Sequence, residues 1–81
     1  MIEITKAKEI MDKVNNKFNV IEEYEDVFLF YLKENDDVTD IGGINEPKAV
    51  SKVDGKIIVM PLLIIKGLIN DDKLITTYYL D

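Results

Sequence analysis

Six consecutive residues, Val27-Phe28-Leu29-Phe30-Tyr31-Leu32, carry no charge and nothing more polar than one phenol. Strand formers in a run without alternation describe a strand covered on both faces. Such a strand sits in the middle of a sheet. Side chains alternate along it, so Phe28, Phe30 and Leu32 point one way and Val27, Leu29 and Tyr31 the other. A chain of 81 residues is one domain, so this strand organises the whole fold.

The flanks supply the other layers. Ala7, Ile10, Met11, Val14 and Phe18 recur at helical spacing, with Lys6, Lys8, Glu9, Asp12, Lys13 and Asn16 opposite. Thr5 is placed to cap this amphipathic helix, which is expected over about residues 5–17. Residues 19–24 form a strand, and Glu25-Asp26 turns the chain into the central run. Residues 33–46, rich in turn formers, form a long loop closed by Pro47. Asp54-Gly55 lies between two β-rich runs, 48–53 and 56–60, and reads as a two-residue type I′ hairpin. Residues 61–69 fit two descriptions. They can form a helix opened by Pro61 with Leu62, Ile65, Leu68 and Ile69 inward, or another strand. Asn70-Asp71-Asp72 is a turn, and 74–80 is a last strand. The fold class is α+β: one N-terminal amphipathic helix on an antiparallel sheet of four to five strands, a single domain over 1–81.

The residue inventory narrows function. There is no Cys and no His, and all ten basic residues are lysine. That removes thiol chemistry, the usual general base, the usual zinc ligand and the bidentate arginine clamp. Ser51 is the only serine and has no imidazole to activate it. The expectation is a protein that is not an enzyme and has no cofactor. The first residues lack an apolar signal region, and the longest apolar run, 57–65, is too short to span a bilayer, so a cytoplasmic location is expected.

Charge is concentrated. Residues 20–46 hold nine acids against Lys33, a net −8, while 1–19 and 47–81 are each +1. Such a field repels nucleic acid and anionic lipid and attracts basic partners. The acids at Glu22, Glu23, Glu25, Asp36, Asp37, Asp40 and Glu46, with Tyr24 among them, are the candidate partner-binding residues. Tyrosine is a frequent hot-spot residue. The plain alternative is a solvated acidic surface that keeps a small protein soluble.

Three chemical readings fit less well. A calcium loop starting at Asn35 places Asp37, Thr39, Ile41 and Glu46 at ligand positions, but Asp40 stands where the sharp turn needs Gly. Ile41-Gly42-Gly43-Ile44 lacks the spacing of a phosphate loop and has acidic neighbours. Adjacent acids on a strand, such as Glu22 and Glu23, point to opposite faces and do not share a catalytic site.

The order of features also resembles a known family. A short helix precedes Val27-Phe28-Leu29-Phe30-Tyr31; then come Gly42-Gly43 and Pro47, and then Ala49-Val50-Ser51-Lys52-Val53-Asp54-Gly55-Lys56-Ile57. Over residues 6–60 this is similar to the immunity-protein-35 type of small bacterial domain. Phe28 or Phe30 stands where that family usually has tryptophan, and the C-terminal third does not match. The resemblance implies a non-catalytic protein that binds and neutralises a toxin. The expected function is therefore a small acidic binding protein that inhibits a basic macromolecular partner, a toxin or a nucleic-acid-binding enzyme, without itself binding nucleic acid or membrane. The alternatives are a mimic of nucleic-acid charge of the phage anti-defence type and a small-molecule or metal-binding regulatory domain.

Overall fold

A computed structural model describes residues 1–14, 17–32 and 47–80. Helix α1 (Ile4–Asp12) is followed by β1 (Val20–Tyr24), β2 (Val27–Tyr31), β3 (Lys48–Ser51) and β4 (Ile57–Val59). Helix α2 (Met60–Lys66), a 3₁₀ turn (Asp71–Lys73) and β5 (Leu74–Tyr79) complete the chain. The five strands form one antiparallel sheet in the order β4-β3-β2-β1-β5. The apolar run is β2, third of five, as its lack of a polar face requires.

The two faces of β2 nucleate two apolar clusters. Phe28 and Phe30 join Ile21 and Val50 beneath Ala7 and Met11 of α1. Val27 and Leu29 join Tyr24 and Ala49 beneath Leu63 of α2, with Tyr31, Ile58 and Leu68 packed alongside. The sheet is thus covered by a helix on each face. Burying each of these large side chains contributes about 2 kcal/mol before entropy is charged against it.

Helix α1 is shorter than its spacing suggests. Thr5 lies inside the helix rather than at its cap, which is Glu3, with no side-chain hydrogen bond there. The helix tightens after Asp12, where Val14 N–H donates to the Met11 carbonyl at 2.9 Å. Val14 is left exposed. Phe18 reaches the core from beyond the helix and meets Phe30 edge-on, 4.9 Å between centroids.

The hairpin between β3 and β4 is present, but it is not a type I′ turn. Ser51 N–H donates to the Lys56 carbonyl at 2.9 Å, so Lys52, Val53, Asp54 and Gly55 form a four-residue loop. Asp54 keeps a negative φ; only Gly55, at φ 75°, is left-handed. A Cβ on Gly55 would also lie 3.1 Å from Ile10 Cδ1, so this glycine lets α1 approach the loop.

Residues 61–69 are mainly helical. Pro61 sits in the first turn of α2, where its missing N–H costs nothing. Gly67, at φ 64°, ends the helix. Its N–H donates to the Ile64 carbonyl and Leu68 N–H to the Leu63 carbonyl, at 3.1 and 3.0 Å. This is the Schellman pattern that left-handed glycine permits. The inward residue is Leu63, not Leu62 or Ile65, which are exposed. Leu68 and Ile69 do pack on the core, as expected.

Candidate recognition surface

Glu22 and Glu23 are neighbours in β1 and therefore leave the sheet on opposite faces. On the α2 face, the two carboxylate oxygens of Glu22 accept from the Tyr24 hydroxyl at 2.7 Å and the Tyr31 hydroxyl at 2.9 Å. On the α1 face, Glu23 Oε2 pairs with Lys52 Nζ at 2.7 Å, and Oε1 accepts from the Tyr78 hydroxyl at 3.1 Å. Each carboxylate thus holds one donor per oxygen. Hydrogen bonds to an ionised acceptor are the strong ones.

The tyrosines respond accordingly. Burial, with the bond to Glu22 second, pushes the Tyr31 hydroxyl up to about 12. The same causes raise Tyr24 further. Tyr78 is exposed, and its bond to Glu23 raises it. All three stay protonated near neutral pH, as donors must.

Lys52 is the buried cation of the set, 6% exposed. Its Nζ lies 4.8 Å from the Phe28 ring centroid, where the ring quadrupole favours positive charge. Its backbone is anchored as well. Lys52 N–H donates to the Asp26 carbonyl at 2.8 Å, and Ile2 N–H donates to the Lys52 carbonyl at 2.9 Å.

The expected partner-binding residues therefore divide. Tyr24 is buried, and Glu22 and Glu23 are engaged within the sheet. Glu25 is exposed in the β1–β2 turn beside Asp26. Asp36, Asp37, Asp40 and Glu46 lie outside the described residues, as does the loop considered for calcium.

The fold adds acids to the Glu25–Asp26 turn that sequence order had kept apart. Glu25 N–H donates to the Lys73 carbonyl at 3.1 Å, which brings the 3₁₀ turn with Asp71 and Asp72 alongside. The bond from Lys52 to Asp26 brings the β3–β4 loop with Asp54. Asp54 accepts from Lys56 N–H at 3.1 Å, which holds its carboxyl below the usual range. Five exposed carboxylates thus share one end of the sheet: Glu25, Asp26, Asp54, Asp71 and Asp72. Lys56 and Lys73 lie at the same end. None of Glu25, Asp26, Asp71 or Asp72 makes an ion pair among the described residues.

Sequence reasoning missed Lys52, Tyr31 and Tyr78 as partners of the two glutamates, because those contacts are 29, 9 and 55 residues apart. One signal was available. Lys48, Val50 and Lys52 alternate, so Lys52 shares a face with Val50, which is fully buried.

Among the described residues, no group of three or more His, Cys, Asp or Glu side chains could hold a metal ion. No described helix is long and apolar enough to cross a membrane. No protein-family model, curated protein or solved structure matches the chain.

Proposed function

We propose that this is a small acidic binding protein that acts without catalysis and neutralises a basic macromolecular partner, in the manner of an immunity or inhibitor protein. The observation that carries this reading is the set of exposed carboxylates at one end of the sheet, with Glu25, Asp26, Asp71 and Asp72 free of lysine partners among the described residues. They stand on backbone tied by hydrogen bonds between elements, so their spacing is held before a partner arrives. Charges arranged in this way mainly raise the rate of association with a surface of opposite sign. The resemblance to the immunity-protein-35 type of domain, with its toxin-binding role, points in the same direction. In the sequence, residues 34–46 add five further acids, Glu34, Asp36, Asp37, Asp40 and Glu46.

The test is capture of partners from a cell extract at low and high salt, with a Glu25→Lys, Asp26→Lys, Asp71→Lys, Asp72→Lys variant beside the wild type. A basic protein retained by the wild type at low salt, and lost from the variant, supports the reading. Equal retention by both proteins at both salts removes this end of the sheet from the interface.

A further inference from the structure

Of the two adjacent acids on β1, only Glu23 is neutralised, by the Lys52 ammonium. Glu22 is half-buried and holds two hydroxyls, which replace lost water but bring no positive charge. Among the described residues no ion pair reaches it. The count of acceptors points the same way. A carboxylate has about four lone-pair sites, and a phenol that donates its hydrogen still has lone pairs to accept with. Glu22 uses two of its sites. Tyr24 and Tyr31 spend their hydrogens on it at 2.7 and 2.9 Å, so both hydroxyl oxygens meet at the carboxylate with acceptor capacity left. Burial and the bonds to Glu22 keep both protons in place well above neutral pH. Three oxygens are thus gathered at one point, and all that they can do further is accept.

The surroundings suit a cation carried on an aliphatic stem. Val20 lies opposite Tyr31 on one side and Tyr79 on the other. Both tyrosines therefore stand on the face that Glu22 occupies, each a diagonal neighbour of it. Tyr79 is near enough to act electrostatically on the Tyr31 hydroxyl. Helix α2 packs against β3 and β4, and Tyr79, on β5, is 72% exposed. Its ring offers an apolar wall to a methylene chain and an electron-rich face to positive charge. Asp71 acts in the same way on the Tyr24 hydroxyl, so the negative field of the acidic end reaches this cluster.

We propose that Glu22, Tyr24 and Tyr31 form a binding site for a primary alkylammonium group, the end of a lysine side chain presented by the basic partner. The three N–H donors of an ammonium match the three acceptors: a Glu22 oxygen and the hydroxyl oxygens of Tyr24 and Tyr31. Arginine suits the site less well. Its planar fork takes both oxygens of a carboxylate side by side, and here each oxygen already carries a hydroxyl. A quaternary ammonium keeps the attraction of charge and ring but has no N–H to donate. The lysine's source rests on the partner proposed above. The site itself does not, since none of its three residues belongs to the exposed acids at the end of the sheet.

Titration of the purified chain with n-butylammonium, followed through the tyrosine ring resonances, tests the site, with melting curves to verify that each variant is folded. The Tyr31 and Tyr79 rings are expected to shift together and saturate, with a dissociation constant on the order of 10 mM, weak as a single-group contact is. Tetramethylammonium at the same ionic strength is expected to bind about tenfold more weakly. Glu22→Gln keeps an oxygen for one hydroxyl but removes the charge, and is expected to lose about tenfold in affinity. Tyr79→Ala, at an exposed position, is expected to lose about threefold. A wild type without a saturable shift overturns the proposal. So does a folded Glu22→Gln variant that binds butylammonium as well as the wild type, or tetramethylammonium that binds equally. In capture from a cell extract, Glu22→Gln is expected to retain less of the basic protein than the wild type. Equal retention overturns the lysine anchor even where butylammonium binds. Capture that is lost from the lysine variant of the acidic end, without any response to butylammonium, overturns this site and leaves the acidic end standing.

Discussion

Glu22 and Glu23 are adjacent, identical in chemistry and equally acidic in the sequence, yet the fold gives them different partners. Glu22 is held by two neutral hydroxyls, from Tyr24 and Tyr31. Glu23 is held by one hydroxyl and by the ammonium of Lys52, whose side chain is only 7% exposed. Removing Glu22 strands dipoles, one of them on a buried tyrosine. Removing Glu23 strands a charge. The cost of an unpaired buried group grows steeply from the first case to the second.

The largest expected effect is therefore that of Glu23→Ala. It leaves the Lys52 ammonium over Phe28 without a counter-ion and should cost about 3 kcal/mol, the lower end for a broken buried pair because Glu23 keeps some solvent contact. Chemical denaturation measures it. Adding Lys52→Met should recover most of the loss, since an apolar chain then fills the space over the ring. If the double variant is no more stable than Glu23→Ala alone, the pair is not what holds Glu23.

Glu22→Ala should cost less, about 1–2 kcal/mol, because only neutral donors lose a partner. Glu22 and Glu23 share no partner and leave opposite faces, so their effects should add to within about 0.5 kcal/mol. A larger coupling in the double-mutant cycle would show that the two faces communicate through β1.

The third contrast is pH. Tyr24 and Tyr31 titrate above their ordinary value of 10.0 in the folded chain, Tyr31 near 12. A raised value in a group that is neutral when protonated means its stabilisation is complete below the unfolded value. It is lost as pH rises through the folded one. Stability should hold flat to about pH 10 and fall from there towards pH 12. Tyr31→Phe should flatten part of that fall, and Tyr24→Phe should do so as well. Melting temperature against pH decides, and an unchanged alkaline slope in both variants shows that these two tyrosines are not the source of the fall.

The smallest effect should come from the exposed acids. Glu25→Lys with Asp26→Lys should leave stability within about 0.5 kcal/mol, as surface changes away from caps and networks do. Association with the proposed basic partner should nevertheless slow, with an effect that shrinks at high salt. A stability loss as large as that of Glu22→Ala would place these side chains in the structural network instead.

The contrast also shows what a sequence displays and what it hides. The apolar run of β2 declared its position because six residues without a polar face can be satisfied only in the middle of a sheet. Helix α1 showed its buried spacing but not its end, since Phe18 continues the spacing while entering the core from beyond the helix. The phase of α2 was hidden for the opposite reason: Leu62-Leu63-Ile64-Ile65 has no polar residue to mark the outer side. The Asp-Gly pair marked a hairpin correctly. The loop is longer than expected: the Ser51–Lys56 bond closes it, and Asp54 does not take the positive φ that a type I′ turn needs at both central positions. Alternation separated Glu22 from Glu23, and Tyr24 lies on the same strand as Glu22, but Lys52 and Tyr78 come from distant parts of the chain that only the fold brings near.

The strand order has a kinetic consequence. Each ladder among β1 to β4 joins strands consecutive in the chain, whereas β5 pairs with β1 across about 50 residues, Tyr24 opposite Leu74. Closing a long loop must be compensated by contacts made only after closure, so this ladder is slow to form and should come last. Until it does, β1 is the outer strand, and it carries Glu22 and Glu23 in mid-strand. Two consecutive carboxylates on a temporary edge repel the same strand of another nascent chain. The pair that later anchors the finished sheet thus serves earlier as a guard against aggregation while the protein is being made.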